Sequence, residues 1–199
     1  YHNPLDVGFP NGTLKGHLEF SVDDIIGGQG EAGNGWKMLM ECLAAGRAVS
    51  LPATANAASK VAFIGVYNYA QHRKQFKMPL LKMEAIQHKL VDMLFHTWAI
   101  HCSIKLTNQL LDSGEKPAVI SAIMKQQTTE RAKEVLNHGM DIYAGSAICQ
   151  GPNNFISKFY QSGPVGITVE GSNTLTKNLI VFGQGINKSH PHISDILES

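Results

Sequence analysis

No run of apolar residues in this sequence is long enough to cross a bilayer, and we expect no signal peptide. Cysteine is scarce. Cys42, Cys102 and Cys149 are odd in number and widely spaced, which argues for free thiols in a reducing compartment and against a disulfide framework. Charge is scarce too: 17% of the 199 residues are charged, and the formal net charge is +1. So neutral a chain exerts no electrostatic pull on nucleic acid or on an anionic membrane. There is no internal repeat and no low-complexity segment. An initiating methionine is also missing, since the chain starts at Tyr1 within the loop-like stretch YHNPLDVGFPNG. We expect a piece of a longer protein.

What is present divides into two unequal parts. Residues 1–33 are rich in Gly, Pro and Asn and hold one alternating run, Leu18 to Asp23, whose period of two predicts a half-buried strand. From Trp36 to about Tyr69 the sequence is Ala-rich and helical in period, with Pro52 expected to kink it. Pro79 opens a second helical stretch with Ile86, Leu90, Leu94, Ile100 and Ile104 at near-helical spacing, closed by Gly114. Pro117 opens a third, ending at Gly145, and shorter helices are expected at 153–161 and 172–182. Long helices joined by short loops pack as antiparallel neighbours. The expected fold is therefore mainly α: an up-and-down bundle of about four long helices spanning 34–185. A short β remnant with a glycine-rich connection (1–33) precedes it, and a tail (186–199) follows.

Gly28, Gly30 and Gly33 show the spacing G-x-G-x-x-G of a dinucleotide-binding turn. That fingerprint needs a buried parallel strand before it and a ribose-binding acid about 20 residues on. No Asp or Glu lies between Glu41 and Glu84, and no strand follows to complete a crossover. The glycines read as a flexible connection. The nine histidines are scattered; His96 and His101 are five apart, off the face that a helical metal pair needs. No metal site is expected. Ser146 lacks the nucleophile-elbow pattern.

Two segments hold more. In YAQHRKQFKMPL, Arg73, Lys74 and Lys77 flank Phe76 just before a helix start, a setting suited to a pyrophosphate with an aromatic ring for a base. A solvated basic turn is the plainer alternative. In GPVGITVEGSNTLTK, Glu170 is the only acid of residues 159–187 and follows the apolar Val165, Ile167 and Val169. A carboxylate so placed suits a general base tuned by desolvation, or simply a first-turn residue favoured by the helix dipole.

In order and separation, these segments resemble the acyl-CoA dehydrogenases over nearly the whole chain. Gly46-Arg47 matches the Gly-Arg pair of the family's first C-terminal helix. Arg73, Phe76, Pro79 and Leu80 match its loop signature R-x-x-F-x-x-P-L, and Glu170-Gly171 matches its catalytic E-G. The closing VEGSNTLTKNLIVFGQG and HPHI look most like the long bacterial fatty-acid-degradation branch. Departures are Glu84 where a glutamine is usual, Ala144-Gly145-Ser146-Ala147 for the G-G-x-G turn, Val169 for an aromatic and Ala44 for an acid.

The resemblance implies an FAD-dependent oxidoreductase that converts acyl-CoA to trans-2-enoyl-CoA in β-oxidation and passes electrons to an electron-transferring flavoprotein. It implies Glu170 as the base, Arg73 and Phe76 on the FAD of a neighbouring subunit, and Gly171, Ser172 and the Asp141–Gly145 turn, Ile142 included, along the flavin. Arg47 would lie near the acyl-CoA. Some relatives carry the base just before that arginine, where this chain has Gly46. A homo-oligomer, dimer or tetramer, is implied, in the cytoplasm, with association to the inner face of a membrane left open. An acyl-CoA oxidase and a non-catalytic helical assembly domain are the competing readings. The isolated chain is expected to be inactive and to bind FAD weakly or not at all.

Overall fold

The Ala-rich stretch beginning at Gly35 winds into a single helix, α1 (Gly35–His72), of 38 residues, or about 57 Å at ~1.5 Å per residue. In the computed structural model, which describes residues 12–115, 118–186 and 192–193, it is the longest element. Pro52 has no N–H to offer the Ala48 carbonyl, yet its ring is fully buried and α1 continues through it to His72. The buried face of α1 is built from Ala48, Ala55, Ala58, Ala62, Val66 and Ala70. Side chains that small let other helices come close.

Two do so, α2 (Glu84–Asp112) and α3 (Ala118–Tyr143), and the three pack against one another. Leu90, Met93, Ile100 and Ile104 of α2 recur at helical spacing on the inward face, as the sequence predicts for Leu90, Ile100 and Ile104. Leu94 of the same run is exposed instead. The main core joins Ala62, Val66 and Ala70 to Leu90 and Met93, and to Val135, Leu136, Ile142 and Tyr143. Buried hydroxyls inside the helices are satisfied locally: Ser59, Thr97 and Thr128 each donate to the carbonyl four residues back.

After α3 comes the short α4 (Gly145–Ile148), then a loop organised by Asn154. Its Nδ2 donates to the carbonyls of Ala147 and Cys149, while its Oδ1 accepts from the backbone N–H groups of Ile156 and Ser157. Phe155 and Ile156 thereby enter notches where α1 has Gly65 and α3 has Gly139. A Cβ on either glycine would come within 2.4 Å of the inserted side chain. Helix α5 (Ser157–Thr168) follows and packs on α3, and a turn at 169–172 leads into α6 (Asn173–Leu175). That helix continues as a π-helical segment, Thr176–Ile186.

The architecture is mainly α, three long helices closed by shorter segments. Several expectations need correction. The strand at 18–23 does not form: Leu18 and Phe20 are exposed, and Val22–Asp24 make a 3-10 turn capped by Ser21. A strand needs a neighbour for its N–H and C=O groups, and among the described residues none pairs with these. The second helix starts at Glu84 rather than Pro79, because Pro79 pairs with Lys74 in a small hairpin, β1 (Lys74–Gln75) and β2 (Met78–Pro79). The third ends at Tyr143, with Ala144 rather than Gly145 in the left-handed region. The helix expected at 153–161 lies at Ser157–Thr168, held back by the Asn154 cap and carrying Pro164 inside it. Pro117, residues 1–11 and most of the 186–199 tail lie outside the described residues. No helix among the described residues is long and apolar enough to cross a membrane.

Candidate functional site

The chemistry-bearing residues gather at two places. At the first, the turn leaving α5 brings Glu170 back against α1. Glu170 has φ 56° and Gly171 φ 89°, two left-handed residues in succession. The first is strained for a side chain of this size; the second suits glycine. The carboxyl group points inward. A Cβ built on Gly46 would lie 3.3 Å from Glu170 Oε1, so the carboxylate rests where α1 has no side chain. Glu170 Oε2 is buried and has no hydrogen-bond partner among the described residues. A buried acceptor without a donor is costly, and in a native protein it calls for a reason such as proton transfer.

The peptide units around it are well held. Arg47, 3% exposed, donates from Nε to the Glu170 carbonyl at 3.1 Å. Lys125 of α3 is fully buried and donates from Nζ to the Gly171 carbonyl and to Asn173 Oδ1, both at 2.7 Å. Thr176 Oγ1 donates to the same Gly171 carbonyl, and Asn173 Nδ2 donates to Thr129 Oγ1 and Glu130 Oε1. Ser172 caps α6, its hydroxyl accepting from the Leu175 N–H. Burial, reinforced by the charge of Arg47, lowers the Lys125 ammonium to about 8, against the opposing pull of Glu170 and Glu130. Burial also lowers Arg47, with Glu170 opposing.

The second place lies at the far end of α1. Arg73, Asp141, Ile142, Ala144 and Gly145 border one hollow of about 490 Å³. Phe76 and Lys77 form the hairpin tip beside Arg73 with φ 50° and 66°, the two left-handed residues that a type I′ turn requires. The Phe76 ring is 89% exposed. Asp141 is paired with Lys89 Nζ from α2. Ile142 lines the hollow, although its side chain is buried in the core. Ala144, at φ 53°, stands where the turn would favour glycine. Among the described residues, the four non-glycine residues with positive φ are Phe76, Lys77, Ala144 and Glu170. All four fall at these two places, as strain stored at functional sites does.

The residues expected along one flavin are thus divided. Gly171 and Ser172 stand with Glu170 and Arg47, whereas Asp141, Ile142 and Gly145 stand with Arg73. Arg47 and Arg73 are about 39 Å apart along α1 at ~1.5 Å per residue. Lys125, Thr129, Asn173 and Thr176 escaped the sequence reading. The signal for Lys125 was its position: it shares the buried stripe of α3 with Ser121, Ala122, Thr128, Thr129 and Ala132.

The residues of the second place suit half of a dinucleotide: a hollow of fitting size, a guanidinium at its edge and an exposed ring next to it. Comparison with known proteins bears on both places. A family model described as "Acyl-CoA dehydrogenase, C-terminal domain" matches residues 33–183. Protein HemX of Proteus mirabilis is 47% identical over 62 residues, covering 31% of this chain and 36% of that protein. The mitochondrial short-chain specific acyl-CoA dehydrogenase of Bos taurus is 33% identical over 119 residues, covering 58% of this chain and 28% of that protein. The solved structure of butyryl-CoA dehydrogenase from Megasphaera elsdenii shares the fold, with TM-score 0.70 and 24% identity over 76% of this chain and 39% of that one. The chain thus spans about a third of the length of the curated relatives it matches.

Proposed function

This chain belongs to the acyl-CoA dehydrogenase family as its C-terminal domain, and from that premise we propose that it is part of an FAD-dependent enzyme that turns acyl-CoA into trans-2-enoyl-CoA in fatty-acid β-oxidation. The observation that carries the reading is the Glu170 carboxyl group, turned inward against Gly46 with one oxygen buried and free of donors. Glu170 takes the proton from Cα of the thioester. The chemistry that FAD would supply, when bound, is an acceptor for the hydride that leaves Cβ. The two losses together leave the double bond. Cα–H bonds of thioesters are weak acids, so the protein's task is one carboxylate, correctly placed and shielded from water. Arg47 serves the acyl-CoA end by fixing the Glu170 peptide, and Gly171 and Ser172 lie beside the same reacting centre.

Arg73 and Phe76 would hold FAD at its pyrophosphate and adenine, with Asp141, Ile142 and Gly145 of the same hollow lying along the cofactor. They stand too far along α1 for the dinucleotide they hold to reach the Glu170 of the same chain. We therefore assign them to the flavin of a neighbouring copy, which requires a homo-oligomer, dimer or tetramer. An exposed apolar stripe on α2, Val91, Leu94, Phe95 and Trp98, gives such a contact a surface. An electron-transferring flavoprotein is the proposed acceptor and the cytoplasm the proposed location, which cell fractionation tests.

The direct experiment is the absorbance spectrum of the full-length protein that contains this chain. A flavin spectrum bleached by acyl-CoA without oxygen supports the reading, and a colourless protein that takes up no FAD contradicts it. Reoxidation by oxygen rather than by a flavoprotein would make it an acyl-CoA oxidase.

A further inference from the structure

A lysine in the middle of a packed helix is an expensive thing to keep. Lys125 is fully buried, and exchanging a buried charge for an apolar side chain of similar volume is often neutral or stabilising. Its presence therefore needs a reason other than the stability of α3. The bonds it makes all lead to one place. One goes to the carbonyl of Gly171, the residue directly after Glu170, and the other to Asn173 Oδ1, two residues further on.

That stretch is the strained one. A glutamate at φ 56° persists only where its surroundings over-determine it. Arg47 from α1 holds the carbonyl of Glu170, and Lys125 from α3 holds the carbonyl of Gly171. Two successive peptides are thus pinned to two different helices. Asn173 ties the far side of the turn to Thr129 and Glu130, also on α3, and Thr176 adds a second donor at Gly171. The carboxyl group, by contrast, has no donor on Oε2 among the described residues. Its aim comes from the backbone beneath it.

We propose that Lys125 is a positioning residue of the active site: through the Gly171 carbonyl and Asn173 it locks the Glu170–Gly171 turn in the left-handed conformation that aims the Glu170 carboxyl group at its seat beside Gly46. It touches neither substrate nor flavin and acts through Glu170 alone. The role deepens the dehydrogenase reading above and rests on it.

The test isolates proton transfer from the rest of turnover. The full-length flavoenzyme is incubated in deuterated water with a 3-thiaacyl-CoA, whose Cα hydrogens a base can exchange but which has no Cβ–H to lose. Exchange is followed by NMR, alongside flavin content and affinity for the analogue. In Lys125→Met, exchange falls about 100-fold, the cost typical of a base displaced by an ångström, while flavin content and affinity stay near wild type. Exchange close to the wild-type rate in that variant overturns the positioning role and leaves the dehydrogenase reading standing. If Lys125→Met loses its flavin, Asn173→Ala replaces it, keeping the ammonium group but removing one of its anchors. A roughly tenfold loss of exchange there supports the role, being about one charge-assisted hydrogen bond, and an unchanged rate refutes it. Failure of the wild-type enzyme to exchange at all would remove the dehydrogenase reading, and the positioning role with it.

Discussion

At position 46 the missing side chain matters as much as any side chain present. Oε1 of Glu170 lies 3.3 Å from where a Cβ would stand, so the carboxylate uses space that only glycine leaves on that face of α1. An alanine there gains up to about 1 kcal/mol of helix propensity, but it pushes the carboxylate off by a few tenths of an ångström. Gly46→Ala in the full-length enzyme is therefore expected to unfold at equal or higher urea while kcat drops about tenfold or more. An undiminished kcat would mean that the carboxyl group works from another position. Position 46 and Glu170, the proposed base, could both be named from the sequence because both belong to short motifs. Lys125 could not: a lysine in a helix reads as solvated, and only the period of its neighbours shows that it faces inward. The strain at Glu170 and Ala144 was equally hidden, since backbone angles follow from what surrounds a residue.

Elements were legible where they carried their own pattern. The core of α2 follows from apolar spacing at Leu90, Ile100 and Ile104, and Gly114, at φ 86°, closes α2 as expected. Features that depend on distant partners were not legible. The run Leu18 to Asp23 has the alternation of a strand but, among the described residues, no neighbour to pair with. The 74–79 hairpin turns on Phe76 and Lys77, which carry none of the Gly or Asn that usually marks a type I′ turn. The glycines inside α1 and α3 belong to this class too. Gly65 and Gly139 weaken their helices locally, yet they admit Phe155 and Ile156. Gly139→Ala is thus predicted to destabilise by about 1–3 kcal/mol, although propensity alone would favour it. A shift of the urea midpoint to lower concentration with an unchanged slope is the expected sign. A midpoint that rises would show that the inserted isoleucine is free to move aside.

At the scale of the whole molecule, two candidate half-sites lie about 39 Å apart along one helix at ~1.5 Å per residue, and in the proposed enzyme a neighbouring copy completes each. Under that proposal the flavin gripped at the Arg73 hollow serves the Glu170 of another copy. Function and assembly are then linked. Trp98 is 64% exposed on the apolar stripe of α2, far in sequence from either cluster. Trp98→Asp in the full-length protein should lower the oligomer's mass in light scattering and raise the FAD concentration needed for half-saturation, with helix content unchanged. Loss of assembly with flavin affinity intact would show that each chain holds its own cofactor.

The proton-abstracting role of Glu170 is tested most directly by Glu170→Gln, which keeps the shape and removes the basicity. Anaerobic mixing of the full-length variant with saturating acyl-CoA should leave its flavin absorbance unbleached over minutes, with FAD content equal to wild type. Bleaching at a rate comparable to wild type would contradict the account at its centre.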